Sequence, residues 1–370
     1  MPCAEIIENN LKYPIIMRTN TLFAVLALCC ATACLRVEAP ASDAEAGNGS
    51  LVISIRDGQP ATKSSIDPSG KDATLHDVQV FLFTLDGQLY LRESLGTDVT
   101  TKTLDGVKAG YYTVAALANG PELSTVQTLD ALKQTVVQLG DNDPTKGFLM
   151  YGVCPQSVSV VSGAAQPVTA EIEVQRLVAR VRLTGVVNRL PSDIGALTVK
   201  AAFLENVPGT WNCAAVGNPT TYLNHAGRQA GKSLQTGDAS LIKTSAHAEC
   251  AALTFQTVNR SVARGGTGET FDLPLYSFPN ACSEADDNFS GPTDGTARTR
   301  LVLLVGYGTS DEWYYPVTLP GLARNTSYDV SFSISGPGTS DPNQRVVNGN
   351  LAVEIHVAPW VSGGSLVGDF

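Results

Sequence analysis

A few short stretches hold residue types that could do chemistry, and most lack the surroundings that chemistry needs. Ala226-Gly227-Arg228-Gln229-Ala230-Gly231-Lys232-Ser233 satisfies a relaxed phosphate-loop pattern. Such a loop cradles phosphates on backbone amides only between a buried strand and a helix N-terminus. The flanking residues Thr221 to His225 and Ser233 to Asp238 read as neither, so nucleotide binding is set aside. Cys213, His225, His247 and Cys250 can be drawn as four zinc ligands, but zinc sites bring their ligands as two tight pairs. Only His247 and Cys250 are close in sequence, and loop residues or a Cys213 to Cys250 disulfide fit better. His247-Ala248-Glu249 opens a zinc-deaminase signature that no Pro-Cys-x-x-Cys completes. The sequence has no Gly-x-Ser-x-Gly elbow. Trp211, Trp313 and Trp360 could stack on sugars, but isolated tryptophans in a strand-rich chain read as core or rim residues. No catalytic residue, metal or cofactor is expected.

The one pattern whose surroundings fit is an export address. Residues 1–16 carry Glu5 and Glu8 and do not read as an export signal. From Met17 the chain offers one basic residue, Arg18, and then an apolar run from Leu22 to Ala33. That run is well short of the roughly 20 residues a membrane helix needs, and it has the form of a secretory signal. Met17 is therefore read as the true start and residues 1–33 as the signal peptide. Ala31-Thr32-Ala33-Cys34 resembles a bacterial lipobox, which makes Cys34 the lipidated first residue of the mature chain; an ordinary signal peptide cut nearby is the alternative. Beyond Cys34 the cysteines are Cys154, Cys213, Cys250 and Cys282, which can pair in three ways. A mature chain this long can be stable without any of them.

The elements around these residues are strands. At 370 residues, with 43% hydrophobic and 16% charged residues, the chain has material for two cores and is neither disordered nor a coiled coil. The net charge is −10 and no basic run interrupts it, so nucleic acid is not an expected partner. Strand patterns bounded by Gly, Pro, Asn or Asp fall at 78–84, 88–93, 111–118, 148–152 and 158–161. They continue at 168–187, 197–207, 271–278, 301–307, 313–319, 328–334 and 351–357. This spacing argues for β-sandwiches or barrels. Only residues 126–139 carry helical spacing, with Val126, Leu129, Leu132 and Val136 on one stripe. Residues 209–250 and 280–298 read as long loops. The alternation from Glu171 to Leu183 is too long for one ordinary strand. It closes one domain and opens the next, with the boundary near Gln175.

The C-terminal region carries the sharpest likeness. Leu319-Pro320-Gly321-Leu322-Ala323-Arg324-Asn325-Thr326-Ser327-Tyr328-Asp329-Val330 is followed by Ser335-Gly336-Pro337-Gly338 and by Val353-Glu354-Ile355-His356-Val357-Ala358-Pro359-Trp360. Upstream, in order, stand Gly47-Asn48, Val80-Phe81-Leu82-Phe83, Ala109-Gly110-Tyr111-Tyr112, Arg176-Leu177-Val178-Ala179-Arg180 and Leu275-Tyr276-Ser277-Phe278-Pro279-Asn280. This series resembles the FimA-type fimbrillins, the lipoprotein-derived type V pilins of Bacteroidales, over essentially the whole mature chain.

The resemblance implies an all-β fold of two tandem transthyretin-like β-sandwich domains, at residues 64–174 and 175–370, preceded by a lipidated segment 34–63. It implies a non-enzymatic pilus stalk subunit, carried to the outer membrane on its lipid and then built into the surface fimbrium with other pilin subunits, tip and anchor pilins included. A trypsin-like surface protease removes the lipidated segment with its first strand, Leu51 to Ile55. By that alignment the cut falls between Lys63 and Ser64, where the family commonly has arginine; Arg56 is the alternative. A donor strand from another subunit then fills the groove. Two segments compete for that role. One is the alternating row Leu351, Val353, Ile355 and Val357; the other is 362–370, with Leu366 and Phe370. A pilus anchor that keeps its lipid, or a surface glycan-binding lipoprotein, are the alternative roles.

Overall fold

The structure is a computed structural model that describes residues 48–57, 74–97, 99–214, 222–224, 250–281, 298–308 and 311–360. The fold is all-β. The first half contributes β1 (Asn48–Asp57), β2 (Gln79–Thr84), β3 (Leu89–Ser94), β4 (Thr101–Lys108), β5 (Gly110–Ala118), β6 (Val136–Gln138), β7 (Met150–Val153), β8 (Val158–Val160) and β9 (Val168–Arg176). The second contributes β10 (Ala179–Asn188), β11 (Leu197–Glu205), β12 (Val207–Pro208), β13 (Thr210–Asn212), β14 (Tyr222–Leu223), β15 (Phe255–Val262) and β16 (Glu269–Ser277). It ends with β17 (Arg300–Tyr307), β18 (Asp311–Thr318), β19 (Thr326–Ile334) and β20 (Leu351–Pro359).

The strands of the first half form one path, β3-β2-β5-β7-β9-β1-β4, with β8 beside β5. The link between β7 and β9 is only two residue pairs long, Met150 with Arg176 and Tyr151 with Gln175. The path folds over there, and residues of both its arms share one buried cluster: Leu51, Ile53 and Ile55 of β1, Val80 and Leu82 of β2, Val114 of β5 and Ile172 of β9. The second half forms two four-stranded sheets, β16-β10-β19-β20 and β15-β11-β17-β18. Val181, Leu183 and Phe332 from one and Val199, Leu303 and Val305 from the other pack into a second cluster, the arrangement of a β-sandwich. That cluster also takes in Phe81, Phe83 and Phe148 from the first half, and the short ribbon of β6 with β13 crosses between the halves.

One long strand pattern divides between sheets, and the helical stripe resolves differently from its sequence reading. The 168–187 run breaks at Leu177-Val178, where β9 leaves one sheet system and β10 enters the other. The 126–139 stripe yields a helix only over Leu129–Gln134, capped by the Thr128 hydroxyl, which accepts from the Ala131 amide at 3.0 Å. The β-branched Thr135-Val136-Val137 that follows disfavours helix, and β6 pairs with Trp211 and its neighbours, leaving Val136 57% exposed. The Cys213 to Cys250 disulfide is not formed: both are buried thiols, and burial pushes the Cys213 thiol up to about 11, which makes it inert.

Candidate functional site

β1 is the strand around which a site can be built, because both its edges are paired. It runs antiparallel to β4, from Asn48 with Lys108 to Ser54 with Thr101, and parallel to β9, from Leu51 with Val168 to Asp57 with Val174. The period-2 alternation of Leu51, Ile53 and Ile55 sends three aliphatic side chains inward, 0%, 0% and 4% exposed. Burying three such groups is worth roughly 1.5–3 kcal/mol each, gross. Gly49 is needed at the entry, since a Cβ there would lie 2.4 Å from Val160 Cγ1. The neighbouring β4 carries a bulge: the register shifts so that Gly49 faces Val107 and Ser50 faces Asp105, passing over Gly106 at φ +76°. That extra residue brings Leu104 and Val107, three apart, to the same buried cluster.

The end of β1 is held by charge. Arg56 is 65% exposed and its contacts to Glu171 and Glu173 are 3.8 and 3.9 Å long, so they contribute little. The Asp57 carboxylate instead meets Arg176, accepting at 3.0 Å from Nη2 and at 3.5 Å from Nη1, with the Arg176 side chain fully buried. Arg176 Nη1 also donates to Asn325 Oδ1 at 3.0 Å. Its guanidinium lies 4.8 Å from the centroid of the Trp360 ring, and that of Arg180 lies 4.9 Å from the same centroid. Trp360 is fully buried, with Phe148 edge-on at 5.1 Å and Tyr276 stacked at 5.6 Å, and its amide donates to the Asn325 carbonyl at 2.9 Å. The last residue of β1 and the residue just past β20 thus meet on one arginine.

Of the donor-strand residues read from the sequence, Leu351, Val353 and Ile355 sit on β20, half-buried against the sandwich core, while Val357 is 49% exposed. β20 pairs with β19 along its whole length, from Leu351 with Ile334 to Pro359 with Thr326. It is an edge strand with no second neighbour among the described residues. Cys34, Lys63, Ser64, Leu366, Phe370, Cys282 and the phosphate-loop-like 226–233 lie outside the described residues. The tryptophans are core and rim residues, with Trp211 9% exposed and Trp313 stacked on Tyr307 at 5.9 Å. The sequence reading missed Asp57 and the role of Arg176. Two arginines, 176 and 180, set in a strongly apolar run were the available sign, because a buried charge needs a partner.

Residues 48–170 match the family model of the major fimbrial subunit protein FimA. Over that span the chain is similar to the FimA-type fimbrillins. β1 and β4 lie wholly inside it and β9 begins in it. The major fimbrium subunit FimA type-4 of Porphyromonas gingivalis is 37% identical over 76 residues, 20% of this chain and 20% of its own. The chain thus matches about a fifth of the length of that curated relative. Among solved structures, a cell adhesion protein of Parabacteroides distasonis, itself described as putative, superposes with a TM-score of 0.60 at 17% identity, covering 86% of this chain and 100% of the other. A fimbrilin (FimA) of Porphyromonas gingivalis W83 does so with a TM-score of 0.58 at 15% identity, covering 87% and 99%. At these identities the likeness shows a shared fimbrillin fold through both halves.

Proposed function

We propose that this fimbrillin-like chain is a structural subunit of a surface pilus, without catalysis, and that it polymerises when β1 is removed and replaced by a strand of another subunit. The observation that carries this reading is the position of β1. It is an interior strand with three buried aliphatic side chains, yet it is the first strand among the described residues, and residues 58–78 lead from it to β2. A cut between Lys63 and Ser64 leaves the strand attached by side-chain packing and hydrogen bonds alone. Its departure opens an apolar groove between β4 and β9, with the unpaired edges of both strands facing each other, a template for strand addition.

In this reading Cys34 carries the lipid that brings the precursor to the outer membrane, and a trypsin-like protease acts at Lys63. Residues 64–174 and 175–370 form the two domains of the stalk subunit. The division of the sheets at Leu177-Val178 supports that boundary. The donor comes from the C-terminal region. β20 already serves the second sandwich in the monomer through its pairing with β19, which favours residues 362–370 as the segment that moves.

Removal of residues 362–370 tests this. The truncated protein is expected to fold, with β20 protected from hydrogen exchange, and to stay monomeric by size-exclusion chromatography. Should it polymerise while Ile355→Asp does not, Leu351, Val353, Ile355 and Val357 are the donor. If both variants form filaments as the parent does, strand replacement is wrong.

A further inference from the structure

Replacing β1 leaves a physical problem at β4. Among the described residues β1 is the only strand neighbour of β4, and β1 runs antiparallel to β4 and parallel to β9. Without β1, the unpaired edges of β4 and β9 face each other in an antiparallel sense. They can pair directly if β4 shifts by one strand spacing, roughly 4.8 Å. Such a collapse would close the groove to any incoming strand.

Contacts on the far side of β4 oppose it. The last residue of β4, Lys108, is held by two tyrosines: its amide donates to the Tyr90 hydroxyl of β3 at 2.9 Å, and its carbonyl accepts from the Tyr112 hydroxyl of β5 at 2.8 Å. The two rings touch, with centroids 4.9 Å apart. Near the other end of β4 the Lys102 ammonium donates to the Glu93 carboxylate of β3. β3 and β4 are the two end strands of the path, so these contacts join its outer edges. A bulge aims Tyr90 there: Leu82 of β2 faces Leu91 and Phe83 faces Leu89, so the register passes over Tyr90, and an extra residue of this kind redirects a side chain. None of these partners belongs to β1, so none leaves with it.

We propose that Tyr90 and Tyr112 are positioning residues for strand replacement: they hold β4 away from β9, so that the groove stays open between the departure of β1 and the arrival of the incoming strand. The proposal rests on the strand replacement argued above and adds the residues that keep the acceptor ready. A collapse onto β9 would carry Lys108 away from both hydroxyls and break both hydrogen bonds.

The test uses the full chain with a specific protease site written into residues 59–66, cut, held on a resin at low density, washed free of its N-terminal fragment in urea and returned to buffer. A fluorescent peptide of residues 48–57 then reports the open groove, because only that state takes it up. Tyr90→Phe keeps the ring and removes the hydroxyl. It should bind the peptide about 5-fold more slowly than the parent, the factor that one hydrogen bond carries, and the double variant with Tyr112→Phe more slowly still. Release of bound peptide should be unchanged, because a seated strand pairs with β4 itself. Tyr328→Phe serves as the control: it loses two hydrogen bonds of the same kind in the second half, from the Ala323 amide and to the Gly321 carbonyl, and should take up peptide like the parent. Uptake by the double variant at the parent rate would overturn the proposal while leaving strand replacement standing. So would equal slowing in Tyr328→Phe and Tyr90→Phe, which would assign the effect to general stability. If the peptide does not enter the parent chain, strand replacement fails and the proposal fails with it.

Discussion

The Phe148 and Trp360 rings are tilted steeply against each other with centroids 5.1 Å apart, joining a core position of the first half to the last described residue of the second. Around that contact the two halves share a single hydrophobic cluster, and Arg176, Arg180 and Tyr276 close over the indole. β20 is an edge strand with one neighbour among the described residues, so its far end depends on how firmly Trp360 is seated.

Trp360→Ala is therefore expected to lower stability by about 3–5 kcal/mol, the usual cost of removing a buried aromatic ring. Trp360→Phe should cost less. Urea denaturation followed by circular dichroism measures both, and a loss within about 0.5 kcal/mol for the alanine variant would show that the ring is not a structural anchor.

The central place of β1 gives an internal contrast between neighbours. Ile53→Ala empties a fully buried site and should cost about 2–5 kcal/mol. Arg56→Gln removes only long, exposed ion pairs and should stay within about 0.5 kcal/mol of the parent. Equal effects of the two would mean that β1 is not held by its inward row.

Much of this fold was legible in alternation alone. The half-buried row of Leu351, Val353 and Ile355 could be read directly, since a strand with one buried face writes its period into the sequence; β1 was named only through the fimbrillin resemblance. β4 was not legible, because the bulge at Gly106 places its two buried residues, Leu104 and Val107, three apart. β15 failed for a related reason: its register shifts against β11, Asn259 adopts φ +53°, and as an edge strand it buries little. The Asp57 to Arg176 pair joins residues far apart in the chain, and no local pattern marks which acid an interior arginine meets.

Glu205 makes stability depend on pH. Its carboxyl is fully buried, 3.7 Å from the Arg300 guanidinium, longer than a hydrogen bond. Burial pushes it up to about 8, with Arg300 opposing. The unfolded chain releases this proton near the ordinary glutamate value of about 4.3. Between that value and about 8 the folded state holds a proton that the unfolded state has lost, so stability falls as pH rises through this window. Urea midpoints at pH 5, 7 and 9 should decline in the parent and flatten in Glu205→Gln. The same decline in both would assign the effect to other groups.

Lys63→Ala is expected to leave the lipidated, membrane-retained form folded and unpolymerised. Immunoblots of membrane and filament fractions read this directly. Filaments built from this variant would move the cut to another residue, Arg56 first.

The most direct measurement is the N-terminal sequence of subunits taken from surface filaments. Removal of β1 predicts chains that begin at Ser64 and contain nothing of residues 48–57. Filament subunits that still carry β1 on a lipidated Cys34 would contradict strand replacement.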